Sequence, residues 1–91
     1  MGAEDPIRRQ VVLAHENGLH LRPIKSLVQL TANFGCDVTI MFDDKVASAK
    51  SMLELMSLAC TKGSELTVEA AGEGAEEAVI AVANVLSTDF E

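Results

Sequence analysis

The sequence predicts an α+β fold: an open-faced two-layer sandwich in which three helices cover one face of a four-stranded, mostly antiparallel sheet. Two observations carry this. Four segments of the 91-residue chain alternate in the period-two manner of half-buried strands, while three others repeat apolar residues at helical spacing. They follow one another in the order β-α-β-β-α-β-α, and one-sided helices need a sheet face to bury against. With 48% hydrophobic residues and no repeat or linker, residues 1–91 read as a single domain with one core. The acidic start, residues 1–6, reads as a flexible extension.

The first strand is expected over Ile7–His15, where Val11 and Leu13 alternate with smaller or polar residues. Glu16-Asn17-Gly18 punctuates the chain as a turn. Pro23 suits the first turn of a helix, where its missing N–H had no partner in any case. From there Ile24, Leu27, Val28, Thr31 and Phe34 form one stripe, and Gly35 is expected to stop the helix in a left-handed cap. Asp37–Phe42 is a strand with Val38, Ile40 and Phe42 on one face, turning at Asp43-Asp44 into Lys45–Ala49. Ser51-Met52-Leu53-Glu54 has the form of a reciprocal capping box and opens a short helix fading between Ala59 and Lys62. Glu65–Ala71 alternates with Leu66, Val68 and Ala70 inward. The last helix follows Gly74 and runs to about Leu86 on a stripe of Ala75, Ala78, Val79, Val82 and Leu86.

Composition excludes several functions. Seven basic against fourteen acidic residues give net −7, the wrong balance for displacing counterions from nucleic acid. No Trp or Tyr is present to stack bases. No apolar run is long enough for a bilayer span, and the acidic start is unlike a signal peptide. A soluble cytoplasmic domain is expected. Cys36 and Cys60 lack metal-ligand spacing and read as small buried thiols, so neither a metal nor a cofactor is expected. His15, without a motif partner, reads as a surface side chain.

Gly18-Leu19-His20-Leu21-Arg22-Pro23 is the segment richest in chemistry. It sets an imidazole at a helix start and a guanidinium in the first turn, together with free N–H groups and the positive end of the helix dipole. That is an anion site. Its positive surroundings favour the neutral, nucleophilic form of the ring, as a phosphoryl acceptor requires. On these residues alone, a helix-capping His20 beside a solvated Arg22 stays open as the alternative.

This segment resembles the G-[IL]-H-A-R-P motif of HPr, the histidine-containing phosphocarrier family of the bacterial phosphotransferase system. Lys50-Ser51-Met52-Leu53-Glu54-Leu55-Met56-Ser57-Leu58 resembles the same family's second motif, around a regulatory serine. The resemblance implies strand order 1-4-2-3 and a monomeric carrier that is not itself an enzyme. It further implies that His20 accepts a phosphoryl group on Nδ1 from enzyme I and passes it to enzyme IIA domains. Arg22 and the backbone N–H groups of Leu21 and Arg22 would hold the phosphate. Ser51, a helix cap from its spacing, matches the serine modified by HPr kinase/phosphorylase where one exists. Met52, Leu53 and Met56 are expected to form an exposed docking patch, extended by Leu21 and Ile24, both of which stand where the family usually has alanine. Two alternatives accompany the sugar-uptake carrier: a regulatory branch, such as the nitrogen-related paralogue, with the same His20 chemistry, and a non-catalytic ligand-binding sandwich.

Overall fold

A computed structural model describes residues 5–88; most of the expected N-terminal extension, residues 1–4, lies outside them. The elements are β1 (Ile7–Val12), α1 (Leu21–Thr31), β2 (Asp37–Phe42), β3 (Lys45–Ser48), α2 (Met52–Ser57), β4 (Glu65–Ala71) and α3 (Ala75–Ser87). The sheet is antiparallel throughout with order β1-β4-β2-β3. Its inner face is set by the alternation: Leu66, Val68 and Ala70 of β4 and Val38 and Ile40 of β2 are buried beneath α1 and α3. On the open face, Arg8 opposes Glu69 in register, and their side chains pair at 3.0 Å.

Two links fix α1 over the sheet. Leu27 is fully buried, and the single proton of the buried Thr31 hydroxyl lies within reach of two acceptors, Leu27 O within the helix at 2.8 Å and Ala49 O beyond β3 at 3.0 Å. A polar group on the inner stripe is thereby satisfied, and it ties the helix to the chain after β3. Cys36 and Cys60 are buried, as expected of small thiols.

Five local expectations need correction. β1 ends at Val12, because from Leu13 the chain leaves β4: Leu13 N–H bonds to Ser64 O and Ala14 N–H to Leu86 O, both at 2.9 Å. The chain stays extended enough for alternation to persist, so His15 turns inward after Leu13 and is buried rather than on the surface. Gly35 is not a left-handed cap; α1 ends earlier and closes through tight i→i−3 bonds, Asn33 N–H to Leu30 O and Phe34 N–H to Thr31 O. α2 is only six residues long, ending at Ser57. Its capping box is half formed, since Ser51 Oγ accepts from Glu54 N–H at 3.2 Å but the Glu54 carboxylate accepts from Ser48 N–H at 2.8 Å. The Ser51 N–H already bonds to Ser48 O, which leaves that carboxylate to tie α2 to the end of β3.

Candidate functional site

The β1–α1 loop is shaped by Gly18. Its φ is +76°, and a Cβ there would stand 2.5 Å from the carbonyl oxygen of Cys60. Only glycine both adopts that conformation cheaply and lets the loop lie against residues 60–61. Leu19 N–H then bonds to that same carbonyl at 3.1 Å, and the Leu19 side chain is buried. The loop that ends in His20 is therefore stapled to the chain following α2.

His20 is the N-cap of α1, with extended backbone, and its Nδ1 accepts the Arg22 N–H at 3.4 Å. In that role Nδ1 turns its lone pair toward the helix N-terminus, and Nε2 is the ring nitrogen left to carry a proton. The cradle around that lone pair follows from the sequence. Leu21 and Arg22 are the first two helical residues and keep N–H groups without intrahelical acceptors. Pro23 has no N–H, and Ile24 N–H is already bonded to His20 O at 3.1 Å. The Arg22 N–H and the positive end of the helix dipole thus meet at the His20 ring. The His20 side is half-buried, whereas Arg22 is exposed. Among the described residues nothing encloses the spot, which lies at the surface beside exposed Leu21 and Arg22.

Around it, Leu21 is 58% exposed, Leu53 is 79% exposed, and Met52 and Met56 are also on the surface, while Leu55 and Leu58 point into the core. The apolar patch is present on the helix expected to carry it, and α2 packs beside α1. Ile24 does not belong to it. Ile24 shares the inner stripe with Leu27 and Thr31 and is 1% exposed, so it can contribute only to packing. Ser51, half-buried, is the N-cap of α2.

The residue missed by sequence reasoning is His15. Its ring meets that of His20 in a T-shaped pair, with centroids 6.3 Å apart and planes at 77°. The signal was the alternation Val11, Leu13, His15, continued two residues past the last ladder bond. Burial pushes the Cys60 thiol, beside the Gly18 loop, from 9.0 up to about 11; Lys45 opposes and Asp43 reinforces this in smaller measure. That thiol is an inert wall rather than a nucleophile. Among the described residues no three His, Cys, Asp or Glu side chains converge to hold a metal ion, and no helix is long and apolar enough to cross a membrane.

Comparison with known proteins agrees with this geometry. The family profile described as "PTS HPr component phosphorylation site" matches residues 7–88. The chain is 42% identical over 71 residues to phosphocarrier protein HPr of Vibrio cholerae, covering 78% of this chain and 84% of that protein. Its fold is similar to crystalline HPr of Bacillus anthracis, with TM-score 0.86 and 36% identity over 91% of this chain and 99% of that one. It is similar also to Crh, the catabolite repression HPr of Bacillus subtilis, with TM-score 0.70 and 34% identity over 92% of this chain and 100% of that one. With a family profile spanning nearly every described residue and the same four-stranded, three-helix architecture, the chain belongs to the HPr phosphocarrier family of the phosphotransferase system.

Proposed function

We propose that this chain carries a phosphoryl group on His20, receiving it from phosphorylated enzyme I, and ultimately from phosphoenolpyruvate, and delivering it to enzyme IIA domains for carbohydrate uptake. The observation that carries the reading is the position of His20 Nδ1 at the start of α1, 3.4 Å from the Arg22 backbone nitrogen. In the transfer, the Nδ1 lone pair attacks phosphorus, an N–P bond forms, and the bond to the donor breaks. The proton on Nε2 stays in place throughout. The phosphoryl oxygens then take over the Leu21 and Arg22 N–H groups, and the Arg22 guanidinium adds a charge-assisted donor.

A carrier must release what it binds, so the phosphorylated state must not be much better held than its competitors. Two N–H groups and one exposed arginine at an open surface meet that need; a deep pocket would not. Catalysis is left to the partners, which dock through Leu21, Met52, Leu53 and Met56. Ser51 is the proposed regulatory position. A phosphate there suits the start of α2 but sets a dianion beside Met52 and Leu53 and against Glu54, weakening the apolar docking surface. The carrier acts as a cytoplasmic monomer.

Incubation with enzyme I and labelled phosphoenolpyruvate tests the acceptor. The expected product is an acid-labile, alkali-stable phosphate that His20→Ala abolishes. Label retained in a folded His20→Ala chain would overturn the proposal.

A further inference from the structure

We infer that His15 is a positioning residue for His20, an inference that rests on His20 being the acceptor. His15 is 1% exposed, and its Nε2 stands 2.6 Å from the carbonyl oxygen of Val85 near the end of α3. A carbonyl only accepts, so Nε2 donates, and α3 fixes the plane of the ring. The backbone beneath is held as well: Ala14 N–H bonds to Leu86 O, and Gly18 N–H bonds to His15 O, both at 2.9 Å. Against this pinned ring the His20 imidazole packs in a T-shaped pair at 6.3 Å, within the range of an aromatic pair.

The acceptor needs such a wall. Its contact with the Arg22 N–H, at 3.4 Å, is too long to hold the imidazole rotation by itself. Packing alone does not account for His15, because the alternation with Val11 and Leu13 asks for an apolar residue there. An aliphatic side chain would fill the space without the desolvation that a buried imidazole brings. What an aliphatic residue lacks is a flat ring tethered in one orientation. His15 supplies one, and it keeps Nδ1 of His20 directed at the helix N-terminus before and after transfer.

The experiment measures enzyme I turnover with this chain as phosphoryl acceptor, for wild type, His15→Ala and His15→Phe, with His20→Ala as the blank. For His15→Ala, kcat is expected to fall about tenfold while KM stays within about twofold, since the docking surface is untouched. The 15N resonances of His20 should at the same time report a mixture of ring tautomers. His15→Phe restores a flat wall and should recover most of the rate. A folded His15→Ala chain with wild-type turnover and unaltered His20 resonances would sink the inference, as would a folded His15→Phe as slow as the alanine variant. If His15→Ala does not hold its fold, His15→Leu takes its place and is judged by the same readouts. Should wild type itself take no label on His20, the acceptor reading is what fails; the 15N resonances still decide whether His15 orders the ring.

Discussion

At the scale of single residues, Gly18 decides whether the acceptor loop exists. With φ at +76°, an alanine there carries a left-handed conformation worth about 1 kcal/mol or more. The larger cost is steric, since the obstructing atom 2.5 Å from the added Cβ is the Cys60 carbonyl oxygen, a backbone atom that cannot swing aside. The loop must lift, and the Leu19 N–H bond to that same oxygen breaks. Gly18→Ala is therefore expected to lose about 2–4 kcal/mol in urea unfolding, near the upper end for point substitutions, and to accept phosphate more slowly even at temperatures where it is fully folded. A variant with wild-type stability and turnover would show that the loop does not depend on this close approach.

At the scale of elements, α2 is too short to persist by propensity and is held by two buried leucines, Leu55 and Leu58, and by its cap. Ser51→Ala removes the Oγ acceptor for Glu54 N–H and should cost about 1 kcal/mol of stability. Ser51→Asp retains a capping oxygen, so its stability should stay close to wild type while turnover by enzyme I falls. Unchanged turnover in Ser51→Asp would count against regulation through this serine; a matched loss of stability in both variants would mean that the cap alone explains the residue. Elements whose pattern is uninterrupted are legible to the residue. β4 alternates from end to end and β2 as far as Met41, and α3 keeps Ala75, Ala78, Val79, Val82 and Leu86 on one stripe. Legibility fails where tertiary contacts choose among local options. Gly35 has the look of a cap, but α1 closes before reaching it. Glu54 fits a capping box, but Ser48 N–H, brought close by the end of β3, takes the carboxylate. The placement of His20 at a helix start beside Arg22 is legible from Gly18 and Pro23. The burial of His15 is not, because its polarity speaks for the surface while its register speaks for the core.

At the scale of the whole molecule, the question is how a chain of net charge −7 presents a site for an anionic group. α1 and α3 run antiparallel. The start of α1 lies by Val85 and Leu86 at the end of α3, while Gly74 at the start of α3 is beside Phe34, just past α1. The acidic residues Glu73, Glu76 and Glu77 therefore sit at the end remote from His20. Eleven residues of helix separate the two ends, about 16 Å at 1.5 Å per residue, or roughly twice the Debye length of about 8 Å at physiological salt. Screening thus removes most of the field of those three, and on the first turns of α1 itself a partner meets the exposed Arg22 and Lys25. Lys25→Glu is expected to raise the KM for enzyme I roughly 3- to 10-fold, in the lower part of the range that electrostatic steering covers. Glu77→Lys, which shifts the net charge by the same amount in the opposite direction, should leave KM within about twofold. Raising salt from about 50 to 500 mM should weaken docking of wild type and erase most of its advantage over Lys25→Glu. If instead Glu77→Lys moved KM as far as Lys25→Glu, or salt had no effect on either, the net charge or the apolar patch would govern encounter, and the polarity of the molecule would have no part in it.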